Sequence, residues 1–570
     1  MTLNQALAVI RSRKDKGSKK VHYLACGFEA LHLASLLRAH LMEALQDNDV
    51  ELLHGNYGDL KGNVESAARS EAIAASVVIE WSDLDPRLGL RASGGWTASA
   101  QADILQSVAT SANTLEAAIG RLGARMPTAV CGPSLPLPAI GNTIRQQNSL
   151  FELDLAELLA SFLARVARLG GLRVACCEST EARLDARMEF MAGFPYKVPF
   201  ASDLAQTLTR VLWQNQPKKG LITDLDETLW AGIVGEIGPG QVSWHQDSHT
   251  QIHGLYQQML GYLAGSGVLL GICSKNERGT VEAALERKDL LVESQSFYPV
   301  EASWGPKSAA VARILKTWNI ASDAVVFVDD SPMELEEVKQ AFPDITCLQF
   351  RGKEPEKTLQ LFNELRNYFG KPHPVAEDLL RQASIRSSAE LRELGEVAAS
   401  PEFLLSLKGV VNADWRRDPS GGRALELINK TNQFNLNGRR ISEGDWQRIL
   451  ADEKSICPVI SYDDRFGSLG RVAVVLGTRN GTQLRVSHWV MSCRAFSRRI
   501  EHHTLAALFQ YPGVESIEFE LAATARNQPL LEFFAGFGLR PSPDGAVELL
   551  RTVFLAQRGP MAHQQLEVKE

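Results

Sequence analysis

Four short stretches near the middle of the chain place carboxylate, hydroxyl and ammonium groups at the ends of apolar runs. They are residues 221–228, 268–274, 306–307 and 325–330. Apolar runs of this length are typical of buried parallel strands, so the residues that follow them are expected at the carboxyl edge of a sheet, where open α/β folds bind ligands. These residue types in this order predict a site for phosphoryl transfer.

Each polar group in these stretches has a chemical role that suits its position. Asp224 follows the first apolar run, so its carboxylate could attack phosphorus in line and form an aspartyl-phosphate. Asp226 could protonate the leaving oxygen and then activate the water that releases phosphate. Ser274 could donate a hydrogen bond to a phosphoryl oxygen, and Lys307 could neutralise the charge that develops during transfer. We predict that these four residues are catalytic.

The same stretches predict a metal site. Several carboxylates around a dianionic phosphate would repel the substrate, so Mg²⁺ is the expected cofactor. The predicted ligands are Asp224, the backbone carbonyl of Asp226, and Asp329 or Asp330. Taken alone, Asp-x-Asp-x-Thr is also typical of a helix cap and Val-Asp-Asp-Ser-Pro of a turn. Four such elements in the right order favour the catalytic interpretation.

Residues 218–369 resemble a phosphatase domain of the haloacid dehalogenase superfamily. The residues that match its four motifs are Asp224, Asp226 and Thr228, then Ser274, then Lys307, then Asp329 and Asp330. The strings 226–236, 274–276 and 329–334 more specifically resemble the FkbH-like branch, subfamily IIIC, from which Glu227 departs where Asn is usual. The resemblance implies that the substrate phosphate is bound by Thr228, Ser274, Lys275, Asn276 and Lys307.

Members of that branch are associated with loading a phosphorylated three-carbon acid onto an acyl carrier protein in polyketide pathways, with loss of phosphate. The resemblance therefore implies an enzyme that takes a substrate such as 1,3-bisphosphoglycerate and has an acyl carrier protein as partner. Two alternatives stay open. The chain could only hydrolyse a phosphomonoester of a small metabolite or carrier-bound intermediate, or it could be a scaffold with an incidental phosphatase site.

The intervals between the motifs bear on substrate size. The interval from Asp226 to Ser274 must hold a flap at 230–240, a helix predicted by the apolar spacing of residues 252–263, and a strand. The interval from Ser274 to Lys307 is shorter still, so neither leaves room for a cap domain. A capless site either accepts a large phosphorylated partner or is closed by another part of the chain. A substrate carried by another protein fits the first possibility.

Composition favours a multidomain protein without nucleic-acid or membrane partners. The chain has 570 residues, 45% of them hydrophobic, and a net charge of −7, which argues against a general nucleic-acid binder. The sequence contains neither a long apolar stretch nor the apolar core of a signal peptide, so a cytoplasmic location is expected. Its eight cysteines form no Cys-x-x-Cys pair, which disfavours structural zinc or a disulfide framework. Cys273 adjoins Ser274 and could carry an acyl group, although strand alternation favours its burial.

The predicted fold class is multidomain α/β, with a central Rossmann-like parallel sheet at 201–375. Apolar runs at 21–26, 76–81 and 128–131 and an amphipathic helix at 31–45 predict a further parallel α/β domain at 1–200. This region resembles the degenerate SGNH-hydrolase-like region of the family and lacks its Gly-Asp-Ser block, which favours docking or assembly over hydrolysis. A helical linker is predicted at 376–400.

Residues 401–560 resemble the α+β acetyltransferase-like domain that ends those proteins, and a polar tail is predicted at 561–570. The polar string at 429–436 closely resembles an FkbH-like segment. In the stretch that matches the pyrophosphate-binding loop of acetyltransferases, Ser497 and Arg499 stand where glycines are expected, which disfavours coenzyme A chemistry. The residues that could instead hold a phosphopantetheine or phosphate, or simply cover a helix face, are Arg494, Arg498 and Arg499.

Overall fold

The computed structural model describes most of the chain. The described residues are 1–13, 18–45, 48–92, 95–140, 143–144, 147–213, 217–370, 385, 401–416, 422–465, 467–492, 495–496, 498–524, 526–541 and 546–568. They form two compact units, Met1–Asn215 with Ser442–Ala451 and Gln216–Ile441 with Asp452–Glu570. Within these ranges, none of the helices combines the length and hydrophobicity that a membrane crossing requires.

The first unit contains a five-stranded parallel sheet with strand order β2-β1-β3-β4-β5. Its strands are β1 Ser18–Cys26, β2 Asn48–His54, β3 Ala74–Val78, β4 Thr128–Cys131 and β5 Leu172–Ala175. Its helices are Leu3–Arg13, Leu31–Ala44, Leu60–Arg69, Trp81–Leu84, Gln101–Gly123, Leu150–Ala167, Ala186–Ala192, Val198–Trp213 and Glu443–Ala451. Successive residues of β1 point to opposite faces, so Tyr23 packs in one apolar core and Leu24 in another. The predicted strands and the helix at 31–45 are confirmed, with boundaries shifted by a few residues.

The second unit begins with another five-stranded parallel sheet, of order β10-β9-β6-β7-β8. Its strands are β6 Gly220–Thr223, β7 Leu269–Ser274, β8 Phe297–Ala302, β9 Val325–Asp329 and β10 Thr346–Gln349. Its helices are Val234–Ile237, Gln251–Gly265, Arg278–Leu285, Lys307–Trp318, Pro332–Ala341 and Pro355–Phe369. Residues 217–370 are all described, and within them the motifs are separated only by these elements and their loops. No cap domain interrupts this stretch.

The second unit continues with a nine-stranded sheet whose main path is β18-β17-β16-β15-β14-β11-β19. The strands are β11 Val410–Asp414, β12 Phe434–Asn435, β13 Ser455–Ile456, β14 Val459–Asp464, β15 Gly467–Asn480, β16 Gln483–Met491, β17 Ser516–Phe519, β18 Val547–Leu550 and β19 Gln564–Val568. The helices are Pro401–Ser406, Gly422–Lys430, Ile500–Gln510, Gln528–Ala535 and Arg551–Gln557.

Two predicted segments, at 561–570 and 376–400, are compared with the structure. The segment predicted as a polar tail, 561–570, contains strand β19, which pairs in parallel with β11 at the end of the sheet. The main-chain hydrogen bonds of this pairing do not depend on apolar side chains, which is why composition gave no signal of a strand. The predicted helical linker at 376–400 lies outside the described residues, apart from Ile385.

Candidate active site

Asp224 lies directly after β6, at the carboxyl edge of the second unit's first sheet. Its backbone N–H donates to the carbonyl of Val328 at the end of neighbouring β9 (2.9 Å). Its side chain is buried, and the Nζ of Lys307 lies 2.9 Å from its Oδ1. Burial raises the pKa of Asp224 to about 6, against the opposing effect of the Lys307 charge. The sheet edge thus presents a buried carboxylate in direct contact with an ammonium group.

Lys307 is the first residue of helix Lys307–Trp318, and only 2% of its surface is exposed. Its Nζ also lies 2.6 Å from Oδ2 of Asp329 and contacts the carboxylate of Glu334. Burial disfavours the ammonium form, but the surrounding carboxylates of Asp224 and Asp329 outweigh it and raise the pKa of Lys307. One buried cation therefore holds three carboxylates together.

Asp226 is oriented by three hydrogen-bond donors. Its Oδ1 accepts from the indole Nε1 of Trp230 (2.9 Å) and from the backbone N–H of Val234 (3.0 Å). Its Oδ2 accepts from the side-chain amide of Asn276 (2.8 Å). Two of these donors belong to the flap that follows motif one, and the third comes from the loop after β7. The carboxylate is therefore fixed in direction before any substrate arrives.

The departure at Glu227 has a structural role in the same flap. Glu227 has a positive φ of 54°, in the left-handed region that Asn adopts more readily than Glu. Its Oε1 accepts a hydrogen bond from the backbone N–H of Gly232 (2.7 Å), five residues later. The longer side chain thus ties the flap to motif one, an interaction that offsets the backbone cost.

Ser274 and Asn276 lie together at the end of β7. The Asn276 side-chain amide donates to Ser274 Oγ (3.1 Å) as well as to Asp226, so it links motif one to motif two. Lys275 instead pairs with Glu334 (2.9 Å). Thr228 is completely buried, and its carbonyl accepts a hydrogen bond from Nδ1 of His253 (3.0 Å). Thr228 thus lies within the motif-one loop, and its contact with substrate phosphate stays a prediction.

The residues that could hold a metal differ in part from those predicted. Carboxylate oxygens of Asp224, Asp329 and Glu334 all lie within 4.8 Å of one another. Asp330 is not in this group, and its backbone carbonyl accepts from the Gln349 side chain (2.8 Å). The side chain of Asp226 is also outside the group. Glu334 was not predicted as a ligand, although its place in the first turn of helix Pro332–Ala341, five residues after Asp329, was a usable signal.

The charges of this group fit a divalent cation. Asp329 is fully buried, and burial, followed by the nearby charge of Asp224, raises its pKa to about 8. Glu334 has a lowered pKa because Lys307 and Lys275 outweigh the effect of its burial. The three carboxylates outnumber the one lysine that contacts them all, so a cation would find anionic partners here. Hard oxygen ligands at this spacing are those that Mg²⁺ prefers.

Cys273 is buried in β7, as strand alternation predicted, and its Sγ lies 3.7 Å from the Lys307 carbonyl oxygen. Burial raises the pKa of its thiol, which disfavours the nucleophilic thiolate. An acyl relay through this cysteine is not supported by its environment.

Of the three predicted pantetheine-binding arginines, the two that the structure describes do not form an open cationic surface. Arg494 lies outside the described residues. Arg498 is buried and pairs with Asp464 (2.9 Å), contrary to the prediction that it binds pantetheine. Arg499 has a positive φ of 55°, and its guanidinium donates to the carbonyl of Arg558 (2.9 Å). The pairing of Arg498 is non-local, so its side-chain type alone could not reveal it.

Comparisons with known proteins give a likeness at the level of fold. Neither a known family model nor a curated protein sequence matches this chain. Among solved structures, the chain is similar to the N-terminal part of the protein BF1531 from Bacteroides fragilis, which contains a phosphatase domain and was crystallised in complex with Mg. The identity is 18% and the TM-score 0.52, over 65% of this chain and 100% of that one.

A second solved structure, an uncharacterized protein from Corynebacterium glutamicum ATCC 13032 Kitasato, matches with 18% identity and a TM-score of 0.19. The match covers 27% of this chain and 96% of that one. The first likeness therefore establishes a mixed α/β fold shared with a fragment that contains a phosphatase domain.

Proposed function

We propose that this chain is a Mg²⁺-dependent phosphatase that acts through an aspartyl-phosphate on Asp224. The observation that carries the proposal is that Asp224 and Asp226, two residues apart, have carboxylates in different surroundings. Asp224 is buried against Lys307, 2.9 Å away, while Asp226 is oriented by Trp230, Val234 and Asn276. The presence of a phosphatase domain and Mg in the similar solved structure supports the same reading.

The chain's own residues account for both halves of the reaction. The Asp224 carboxylate attacks phosphorus, the bond from phosphorus to the leaving oxygen breaks, and Asp226 gives that oxygen its proton. Asp226 then takes a proton from the water that attacks the aspartyl-phosphate, which releases phosphate and restores Asp224. Lys307 offsets negative charge next to Asp224, and Asn276 holds the side chains of Ser274 and Asp226 in position by donating a hydrogen bond to each. A Mg²⁺ ion held by Asp224, Asp329 and Glu334 would neutralise phosphoryl charge.

We further propose that the physiological substrate is a phosphorylated three-carbon acid destined for an acyl carrier protein. The FkbH-like strings around Asp226, Ser274 and Asp329 support this, and so does the absence of a cap domain within residues 217–370. Attack at phosphorus cannot itself form a thioester, so the two steps must be separate. The carrier thiol would displace the C1 phosphate of 1,3-bisphosphoglycerate, and Asp224 would then remove the C3 phosphate from the carrier-bound acid.

The phosphatase is tested by measuring phosphate release from phosphomonoesters by the full chain, with and without Mg²⁺. We expect activity that requires the metal and is lost in Asp224→Asn, a nearly isosteric change. Cys273→Ser is the matched control, because it alters the neighbouring strand without touching the proposed chemistry. Full activity in Asp224→Asn would refute the mechanism, and no phosphate release from any phosphomonoester by the folded wild type would favour a scaffold.

Acyl loading is tested by incubating the full chain with Mg²⁺, 1,3-bisphosphoglycerate and a phosphopantetheinylated carrier protein, and following the carrier mass. We expect a glyceryl adduct with wild type and a phosphoglyceryl adduct with Asp224→Asn, because only the second step needs Asp224. The carrier with chemically added 1,3-bisphosphoglycerate but no enzyme measures uncatalysed transfer. Phosphate release without any gain in carrier mass would leave a plain phosphatase.

A further inference from the structure

A cavity of about 480 Å³ lies in the second unit, away from Asp224. One wall is formed by residues at the opposite end of the phosphatase-like sheet, including Lys219 just before β6 and Trp318 at the end of helix Lys307–Trp318. The other wall is formed by helix Gly422–Lys430 and the polar string that follows it, with Arg440 and Arg526 nearby. This volume falls within the range typical of small-molecule sites.

The cavity carries an excess of positive charge. Its cationic lining residues are Lys219, Arg423, Lys430, Arg440 and Arg526, and its anionic ones are Asp323 and Glu426. Glu426 is already engaged, 2.9 Å from Arg423 and 2.7 Å from Lys430, and its pKa is lowered by these two charges despite burial. The remaining arginines therefore face the cavity without neutralisation by Glu426.

The partners of Arg440 and Arg423 bear on the charge of the ligand that this cavity would bind. Arg440 donates to the carbonyls of Ile428 (2.8 Å) and Thr431 (3.0 Å) and to the side chain of Asn432, but pairs with no carboxylate among the described residues. Arg423 is 7% exposed, and its Nε has no hydrogen-bond partner in the part of the chain that the structure describes. Arg423 has its counter-charge in Glu426, whereas Arg440 is exposed at the cavity with no carboxylate partner among the described residues there, so Arg440 favours an anion in the cavity.

The remaining lining indicates the kind of anion. Amide side chains of Asn432 and Gln433 and guanidinium groups supply many donors, and guanidinium groups suit phosphate because they can bind its oxygens in pairs. Trp318, Leu427 and Met491 provide apolar wall for a small organic body. We propose that this cavity is a second ligand site, which binds a small phosphate-bearing molecule through Arg440 and Arg526.

The site is separate from the proposed catalytic centre and does not depend on its activity. Helix Lys307–Trp318 has its first residue in the catalytic group and its last at the cavity, and its 12 residues span roughly 18 Å. Strand β6 likewise separates Lys219 from Asp224. A ligand in the cavity is therefore not positioned for attack by Asp224, and its role is that of an effector or of an anchored group.

The test is calorimetric titration of the full chain with 3-phosphoglycerate, with glycerate as the phosphate-free probe, and with 4′-phosphopantetheine. Titration is done in EDTA, which weakens binding at the catalytic centre. We expect saturable binding of a phosphate-bearing probe that weakens at least tenfold in Arg440→Met, with phosphatase activity unchanged. Arg439→Met is the matched control, because this adjacent arginine pairs with Glu520 and does not line the cavity.

The probes and variants separate the outcomes. Preference for 3-phosphoglycerate indicates a free metabolite, and preference for 4′-phosphopantetheine indicates the arm of a carrier protein; both support the site. If Arg440→Met does not fold, Arg526→Met, at an exposed position, gives the same comparison. Equal affinity in wild type, Arg440→Met and Arg526→Met, or no binding of either phosphate probe, overturns the proposal.

Discussion

The flap tryptophan offers the sharpest test of how this site works. Trp230 is fully buried, and its indole N–H is one of the three donors that orient Asp226. Trp230→Phe removes this donor and keeps an aromatic ring in the apolar core. If Asp226 is the acid and base of the reaction, losing the donor should slow proton transfer without preventing attack by Asp224.

The expected size of the effect follows from the contacts that are left. A hydrogen bond to a charged group contributes about 1.5–3 kcal/mol, and about 1.4 kcal/mol corresponds to a tenfold change in rate. The Val234 N–H still binds the same oxygen of Asp226, and Asn276 still binds the other. We therefore expect the lower end, roughly a tenfold fall in kcat/KM.

The assay compares phosphomonoesters whose leaving groups differ in basicity. An alkyl phosphate needs a proton on its leaving oxygen, whereas p-nitrophenyl phosphate does not. Trp230→Phe should therefore lower kcat/KM, which reports on phosphoryl transfer to Asp224 and not on hydrolysis of the shared aspartyl-phosphate, much more for the first substrate than for the second. Trp244→Phe is the matched control, since Trp244 is also buried and donates to the carbonyl of Asp289 (3.2 Å), outside the site. Equal losses of kcat/KM for the two substrates, or equal losses in the two variants, would refute the assigned role of Trp230.

Three further predictions concern stability and reactivity. A Cβ added at Gly254 would lie 2.7 Å from a backbone oxygen, whereas a Cβ added at Gly261 would make only ordinary contacts. In urea denaturation, the free energy of unfolding should therefore fall by about 1–3 kcal/mol in Gly254→Ala and rise by up to about 1 kcal/mol in Gly261→Ala. Burial lowers the pKa of His503 to about 4, so its protonation favours the unfolded state. Stability should be full above about pH 6.5 and fall towards pH 4, and His503→Gln should make that fall shallower than in wild type when denaturation is measured across this range. Iodoacetamide should label exposed Cys176 in the native protein and leave buried Cys273 unlabelled. Peptide mass spectrometry would detect the labelled sites, and rapid labelling of Cys273 would contradict its burial.

The sequence was most informative where function and strand ends coincide. The apolar runs before Asp224, before Ser274 and up to Asp329 form neighbouring parallel strands, as expected from runs of that length and composition. Parallel strands bring their carboxyl ends to one edge, so proximity of these residues followed from local pattern alone. The helix predicted at 252–263 is also present, as Gln251–Gly265.

Non-local pairing was beyond the reach of sequence reasoning. Arg498 carries the same charge whether it binds a ligand or Asp464, and only the fold decides between these. Strand β19 exists because β11 offers an edge to it, although the two are far apart in the chain. The direction of helix Pro332–Ala341 likewise decides that Glu334, rather than Asp330, faces Lys307.

The charge balance around Lys307 links the fold to the metal requirement of the proposed reaction. Asp224, Asp329 and Glu334 all contact this one ammonium group, and Glu334 shares its charge with Lys275. When all three carboxylates are ionised, they outnumber the two lysines by one charge at a buried site, and a phosphate dianion would add to that excess; the raised pKa of Asp329, about 8, reflects its burial and the nearby charge of Asp224. Because the carboxylates are fixed by the sheet edge and by helix Pro332–Ala341, they cannot move away to admit the substrate. In the proposed reaction, a divalent cation held by Asp224, Asp329 and Glu334 would offset that charge, and Lys307 holds these carboxylates in the arrangement that would receive it.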